Sequence, residues 1–328
     1  MRHPISIGIV AALALWLAVF ALFPLRLPAI PFQYDLKSGS TLRSVAHDLK
    51  GRGLLWEPWT FTLVGRLLGQ QGKIKAGSYQ WDGPLTALQL LNRMTRGDSI
   101  QSEAKLIEGM TFAQFRSALD DNQDLRHLTY GLPERDILKL LGDDRTVAEG
   151  QFYPDTYFFN KGGTDIDILK RAHRAMIKRL NEVWSHRAEG LPYDQPYAAL
   201  IMASIIEKET GKAEERPLIA AVFINRLQQG MKLQTDPTVI YGMGRRYDGN
   251  IHKRDLLVDT PYNTYTRPGL PPTPIAMPGL AALEAAVHPA STNALYFVAR
   301  GDGTHQFSET LTQHNQAVVK YQLKRRGP

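Results

Sequence analysis

An apolar run near the middle of the chain limits what this sequence can fold into more than any other feature. Every residue of Tyr197–Ile206 except Ser204 is apolar, and the run contains no glycine or proline. Such a run predicts a helix that is buried on nearly all sides, around which a domain packs. Glu207 and Glu209 follow at its end, about 200° apart around the helix axis. The two carboxylates therefore cannot share a face, and we predict that Glu207 points inward or into a cleft while Glu209 points out.

The position of Glu207 predicts a role in proton transfer. Removal from water disfavours the anionic form of a carboxyl group, and so does the negative end of a helix dipole. A glutamic acid that stays protonated near neutral pH can act as the general acid toward a sugar leaving group. The alternative is a structural role, in which Glu207 pairs with Lys208 or Arg226 or ends a core helix in solvent.

Composition and charge narrow the range of partners and cofactors. The chain has 328 residues, enough for two domains, and its net charge is +7. No arginine or lysine run is interleaved with aromatic residues, so we expect no nucleic-acid partner, whereas an anionic polymer or membrane surface would suit the charge. The absence of cysteine excludes disulfides and thiol catalysis. The nine histidines form no metal-spaced cluster, and we expect neither a metal nor another cofactor.

The N-terminal segment Ile5–Phe23 is uncharged and almost wholly apolar. A length of about 19 residues is enough to cross the hydrocarbon core of a bilayer. A cleavable signal peptide is the alternative, but the sequence after the segment, Phe-Pro-Leu-Arg-Leu-Pro, contains no small-x-small cleavage site. We therefore predict that residues 1–25 form a cytoplasmic tip and a single-pass anchor in the inner (plasma) membrane, with the rest of the chain in the periplasm or otherwise outside the cytoplasm.

Residues 26–101 are predicted to form a proline-rich spacer and a small module. Phe32–Leu36 and Ile74–Trp81 have the pattern of strands, with a capped helix ending at Lys50 and a second helix, Glu57–Leu68, between them. This βααβ order, with Ser-Gly-Ser-Thr-Leu after the first strand and Lys-Ala-Gly-Ser-Tyr in the last, resembles a LysM-like glycan-binding module. A plain packing domain is the alternative.

Residues 102–328 are predicted to form a larger mixed α/β domain, so the fold class of the whole chain is α+β. The stretch after the apolar helix, residues 231–275, is rich in tyrosine, amide side chains, aspartate and proline. Aromatic rings beside hydrogen-bonding groups suit a sugar, which has apolar faces and hydroxyl edges, although ordinary loop composition explains much of the pattern. The predicted substrate-binding residues are Gln234, Asp236, Asn263, Tyr265, Glu149 and Asn225.

Five blocks of sequence resemble a known family. They are EGQFYPDTYFF, MASIIEKET, AAVFINRLQQGMKLQTDPTVIYG, PYNTYTRPGLPPTPI and AAVHPASTNALYFVA. In this order they are similar to the signature blocks of the YceG-like endolytic murein transglycosylases, the MltG family. The resemblance implies a membrane-anchored enzyme that cuts peptidoglycan glycan strands internally, with the lipid bilayer and peptidoglycan synthases as further partners. It also implies that the glutamate of the Ile-Glu-Lys-Glu-Thr block is catalytic, and this glutamate falls on Glu207.

The implied reaction cleaves the MurNAc–GlcNAc β-1,4 bond without water and leaves a 1,6-anhydroMurNAc end, which would terminate or trim nascent strands. Because the nucleophile is a hydroxyl of the substrate, one carboxylate can serve as both acid and base. Two alternatives stay open. One is a non-catalytic envelope glycan-binding protein, and the other is a two-carboxylate muramidase with Glu149, Asp155 or Asp236 as the second acid.

Overall fold

The chain folds into two structural units of unequal size. The computed structural model describes the backbone of residues 4–323 and the side chains of residues 8–323. The smaller unit contains the chain up to Glu103 together with Phe158–Gly163, and the larger unit contains Ala104–Tyr157 and the chain from Thr164 onward. The predicted boundary after residue 101 is close to the first crossing point, but the sequence did not predict that a short later segment returns to the smaller unit.

The smaller unit contains a strand–helix–helix–strand arrangement. Its elements are α1 (Pro4–Leu22), β1 (Pro24–Leu25), β2 (Phe32–Leu36), α2 (Leu42–Gly51), α3 (Pro58–Leu67), β3 (Gly77–Trp81), β4 (Leu85–Thr86) and α4 (Ala87–Arg96). Strands β2 and β3 pair antiparallel with Tyr34 opposite Tyr79, and both rings are buried. The hydroxyl of Thr41 caps α2 by accepting from the amide of Ser44. The βααβ order is as predicted, and glycan binding by this unit stays a prediction.

The first helix packs against its own unit. Phe20 of α1 is buried in the core of the smaller unit, and α1 contacts α3 and α4. Across the described part of the chain, no helix is both long enough and apolar enough to span a membrane. The predicted span Ile5–Phe23 is thus not confirmed, and the side chains of its first three residues lie outside the described ones.

The short returning segment is bonded into the smaller unit. The side-chain oxygen of Asn160 accepts from the hydroxyl of Ser99 at 2.9 Å, and its side-chain nitrogen donates to the carbonyl of Ala76 at 3.0 Å. Gly77 lies close to both residues, because a Cβ at this position would come within 2.7 Å of Ser99 Cβ and 3.4 Å of Asn160 Cγ. The segment therefore completes the hydrogen bonding of a unit that begins much earlier in the sequence.

The larger unit is mainly helical. Strands β5 (Gln101–Leu106) and β7 (Asp155–Asn160) each begin in one unit and end in the other. Its other elements are α5 (Phe112–Asp120), β6 (Leu125–Arg126), α6 (Glu134–Leu140), β8 (Gly163–Thr164, which crosses the boundary), α7 (Asp165–Ser185), α8 (Pro196–Glu209), α9 (Arg216–Gln228), α10 (Asp236–Met243), α11 (Leu280–Val287), β9 (Tyr296–Ala299), β10 (His305–Ser308) and α12 (Leu311–Val318).

Helix α8 is the centre of the larger unit, as its apolar run predicted. Residues 199–206 are all buried, and α8 packs against α7, α9, α10 and α11. Pro196 begins the helix, where its missing N–H costs nothing. The one polar residue of the run, Ser204, donates to the carbonyl of Ile201 and accepts from the amide of Ile275. That bond fixes the segment before α11 against the buried helix.

Helix α10 was not predicted. The stretch 231–242 was interpreted as a loop, but Asp236–Met243 is helical, with Pro237 in the first turn. A signal was present in the sequence, because Thr-Asp-Pro combines a residue that favours an N-cap with a proline suited to the first turn. Asp236 therefore lies in the first turn of a helix and not in a flexible loop.

Candidate active site

Glu207 is an ion-paired carboxylate with no oxygen free of a protein partner. Its Oε1 accepts from Nη2 of Arg216 at 3.0 Å, and its Oε2 accepts from the backbone amide of Gly279 at 2.9 Å. The side chain is only 6% exposed. Gly279 is the N-cap of α11, so the carboxylate also lies at the positive end of a helix dipole.

These contacts change the interpretation of Glu207. Both oxygens of the carboxylate are already bonded within the protein, to Arg216 and to the amide of Gly279. No contact here tests the prediction that Glu207 is the catalytic acid, and it stays a prediction. The structural alternative fits them better, although the partner is Arg216 rather than Lys208 or Arg226.

Glu209 lies on the other side of the same helix end and is only partly exposed. Its Oε1 accepts a hydrogen bond from the hydroxyl of Thr235. The prediction that Glu209 points out into solvent is wrong, because the segment that leads into α10 covers that side of α8. Thr235 is the N-cap of α10, yet its hydroxyl makes no capping bond within its own helix and is directed to Glu209.

The environment of Glu209 favours a proton near neutral pH. Burial raises the pKa of Glu209 to about 7, and the nearby charge of Asp236 adds to the rise. The hydroxyl of Thr235 and the positive charges of His305 and Arg226 act in the opposite direction. A carboxyl balanced in this way can give up a proton and also recover one at neutral pH, as general acid–base catalysis requires.

Two of the predicted substrate-binding residues lie together beside Glu209. The hydroxyl of Tyr265 donates to Oδ1 of Asp236 at 2.6 Å, and Asp236 begins α10 immediately after Thr235. Burial raises the pKa of Tyr265, and its bond to Asp236 raises it further, so the phenol stays a hydrogen-bond donor. The arrangement places the Asp236 carboxylate and the ring of Tyr265 close to Glu209.

The comparisons with known proteins agree with the sequence blocks. The sequence profile of the YceG-like family matches residues 34–320. The chain belongs to the YceG-like family. A solved YceG-like protein from Listeria monocytogenes is 28% identical and superposes with a TM-score of 0.55, covering 87% of this chain and 98% of that one. The mixed α/β fold of the chain is therefore that of a YceG-like protein.

Two YceG-like relatives carry functional names. An endolytic murein transglycosylase of Bacillus subtilis strain 168 is 33% identical over 307 residues, which cover 88% of this chain and 84% of that protein. An endolytic murein transglycosylase of Streptococcus pneumoniae serotype 2 is 24% identical over 323 residues, and the match spans 87% of this chain and 57% of the longer relative.

Two amides of this YceG-like chain serve the protein backbone, contrary to their predicted role in substrate binding. Asn263 is 1% exposed. Its nitrogen donates to the carbonyls of Leu256 and Val258, and its oxygen accepts from the amide of Tyr265. Asn225 donates to the carbonyls at positions 292 and 294. These amides hold loops in place, and the donors of Asn225 and all the polar atoms of Asn263 already have partners.

Glu149 is likewise occupied by the protein. It is 4% exposed, and it accepts from the amide of Phe112 at 3.0 Å and from the hydroxyl of Tyr241 at 3.1 Å. Burial raises the pKa of Glu149 to about 7, with the charge of Glu134 adding to the rise and its hydrogen bonds opposing it. Its predicted contact with substrate has no support here, since no oxygen of Glu149 is open. Asp155 is exposed, and its Oδ1 accepts from the amide of Thr156.

Thr235 and Arg226 were missed as site residues at the sequence level. Arg226 is buried and donates to the carbonyls of Lys232 and Leu233, the residues just before Gln234. The available signal was the position of Arg226 in the sequence, five residues before the polar stretch 231–275 that contains the predicted substrate-binding residues. Within residues 8–323, no group of three or more metal-ligating side chains could hold a metal ion, and the expectation of a metal-free site stays a prediction.

Proposed function

We propose that this chain is a peptidoglycan lytic transglycosylase that cuts within glycan strands, with Glu209 as its single general acid and base. The observation that carries the proposal is a partly buried carboxyl with a pKa of about 7, bonded to Thr235, at the end of the central helix. The names of the relatives, endolytic murein transglycosylases, support the substrate and the endolytic mode.

The reaction that fits one such carboxyl needs no water. Glu209 donates its proton to the glycosidic oxygen of the MurNAc–GlcNAc β-1,4 bond, and the bond from that oxygen to the anomeric carbon breaks. The Glu209 carboxylate then takes a proton from the MurNAc 6-hydroxyl, whose oxygen attacks the anomeric carbon. A 1,6-anhydroMurNAc end and a free GlcNAc hydroxyl result, and Glu209 is protonated again.

The hydrogen bonds at the site suit both halves of this cycle. Thr235 donates to Glu209, so it stabilises the carboxylate that exists between the two proton transfers. Burial opposes the charge and favours the return of the proton. Glu207 differs in its partners, because Arg216 and the amide of Gly279 occupy both of its oxygens.

The deciding experiment compares substitutions of two glutamates that lie two positions apart in the chain. We expect Glu209→Gln to lower the release of anhydro ends from purified sacculi by about 100- to 10,000-fold, because an amide cannot transfer the proton. Its thermal stability should hold, since the carbonyl of glutamine still accepts from Thr235. The matched variant Glu207→Gln removes the charge paired with Arg216, so it should lower the free energy of unfolding by about 1–3 kcal/mol while cleavage per folded molecule remains.

The same digestion separates the alternatives. If Glu207→Gln is inactive at unchanged stability while Glu209→Gln still releases anhydro ends, then the proposed acid is wrong. Reducing ends in place of anhydro ends would indicate a muramidase. Asp236, held beside Glu209 by Tyr265, would then be its second carboxylate, and Asp236→Asn would abolish cleavage. Strands bound but never cut would indicate a glycan-binding protein.

The proposal extends to where the enzyme acts. Glycan strands of the cell wall lie outside the cytoplasm, and an uncharged apolar segment at residues 5–23 would hold the enzyme to the inner membrane beside newly made strands. There it would terminate or trim strands made by peptidoglycan synthases. Membrane fractionation with intact-mass analysis tests this part separately, and a mature chain beginning near Pro28 would contradict it.

A further inference from the structure

Gln234 has an unusual backbone conformation beside the proposed acid. Its φ is 51°, and it is the one residue other than glycine with a positive φ in the part of the chain that the structure describes. L-residues with a side chain avoid this left-handed region, because Cβ comes too close to the backbone. Residues held in such a conformation are concentrated at functional sites, where the surrounding structure maintains the strain.

The neighbours of Gln234 show what maintains it. Leu233 and Thr235 are both buried, so the chain is fixed on either side of the residue. Arg226 donates to the carbonyl of Leu233 at 2.7 Å. The amide of Gln234 donates to the carbonyl of Thr264 at 3.1 Å. The amide of Thr235 donates to the hydroxyl of Thr264.

The side chain of Gln234 is not needed for this turn. It is exposed, and among the described residues its amide group has no hydrogen-bond partner. A glycine would adopt the same backbone conformation without strain. The next residue, Thr235, donates to Glu209, so the free amide lies one residue from the group that bonds to the proposed acid.

We propose that Gln234 recognises the 2-acetamido group of a sugar next to the bond that is cut. This inference rests on the proposed function, because it places the sugar beside Glu209. A glutamine side chain offers both a carbonyl acceptor and an N–H donor, and an acetamido group offers the complementary pair. An amino sugar without its acetyl group has no carbonyl to accept the bond, so the residue selects N-acetylated strands over de-N-acetylated ones.

Binding measured in the inactive Glu209→Gln background tests the proposal without strand cleavage. The probes are soluble glycan strands with their acetyl groups and the same strands after enzymatic de-N-acetylation. We expect Glu209→Gln to bind the acetylated strands about tenfold more tightly than the de-N-acetylated ones, which is the effect of one or two hydrogen bonds. Adding Gln234→Gly to this variant should remove the preference. In the active enzyme, Gln234→Gly should lower release of anhydro ends about tenfold.

A control and a stability measurement distinguish recognition from a structural role. Gln229→Ala changes an exposed glutamine with an ordinary φ of −91° and should keep the preference. Gln234→Gly should melt about 2–4 °C above Gln234→Ala, because glycine relieves the strain that alanine retains. If Gln234→Gly keeps both the acetyl preference and full activity, the proposal is overturned. An active Glu209→Gln variant would instead count against the proposed acid, and the two failures are thus distinguishable.

Discussion

At the scale of single residues, the two carboxylates that end α8 differ because of what lies against each of them. Arg216 and the start of α11 bond both oxygens of Glu207, whereas Glu209 accepts one hydrogen bond, from the hydroxyl of Thr235. Both are glutamates at the end of one helix, so neither side-chain type nor helix dipole separates them. Their roles are set by contacts from segments distant in the sequence.

The first prediction concerns the pH dependence of cleavage. Glu209 must be protonated to act as the acid, so kcat/KM should fall as pH rises through about 7. The hydroxyl of Thr235 lowers the pKa of Glu209, and removing it in Thr235→Val should move this fall to higher pH. Rates of anhydro-end release between pH 5 and pH 9 would measure the shift.

Thr238→Val is the matched control for that series. Thr238 is buried in α10, the helix whose N-cap is Thr235. It bonds to the carbonyl of Thr235 and the hydroxyl of Thr264, but not to Glu209. It should leave the midpoint of the pH profile in place even if it lowers stability. Equal shifts in the two variants would show that the hydroxyl of Thr235 does not set the proton affinity of the acid.

A second prediction concerns the stability of the fold. The pKa of Glu149 is raised from 4.5 to about 7, so the folded protein keeps this proton to a higher pH than the unfolded chain does. The stabilisation is complete below about pH 4.5 and is lost as pH rises through 7, by up to about 3 kcal/mol. Urea unfolding at pH 5 and pH 8 should show this fall. It should be smaller in Glu149→Gln and unchanged in the exposed control Glu182→Gln.

At the scale of helices and loops, the sequence predicted the central helix well and its surroundings less well. The apolar run predicts α8 because a solvent-exposed helix would not carry apolar residues on every side. The side on which Glu209 lies depends on residues 233–236, which pack against it only in the folded chain. Composition also could not separate Asn263, which bonds to backbone, from Gln234, which has a free amide, because both are amides in polar stretches.

The third prediction follows from the role of Asn263 in its loop. Asn263→Ala removes two donors to the carbonyls of Leu256 and Val258 and leaves the amide of Tyr265 without its acceptor. We expect the free energy of unfolding to fall by about 1–3 kcal/mol. Cleavage should fall with it, because the loop positions Tyr265 against Asp236. Chemical denaturation measures the first effect and sacculus digestion the second.

Asn250→Ala, at an exposed position of the same long connection, is the control and should change neither quantity. Lost cleavage in Asn263→Ala at unchanged stability would favour the original prediction that this side chain contacts the sugar.

At the scale of the whole molecule, the net charge of +7 should contribute to binding of the cell wall, whose peptide stems carry carboxylates. The fourth prediction is that Glu209→Gln, which we expect to bind without cutting, loses several-fold of its affinity for sacculi when salt rises from about 0.1 M to about 1 M. The screening length falls from about 10 Å to about 3 Å over that range. Binding to chitin, an uncharged N-acetylated glycan, should change little. Equal salt dependence on both polymers would exclude the charge effect.

The return of Phe158–Gly163 to the smaller unit also affects how the protein is made. A ribosome releases the chain from its N-terminus, at roughly 5–20 residues per second. The first unit cannot acquire the bonds of Asn160 to Ser99 and Ala76 until Ala104–Tyr157, which belong to the second unit, have been synthesised. A nascent chain thus waits some seconds with its first unit incomplete, and a stop codon before residue 158 would leave both units unfinished. A contiguous cassette that ends at Glu103 would therefore lack part of the smaller unit and both of these bonds.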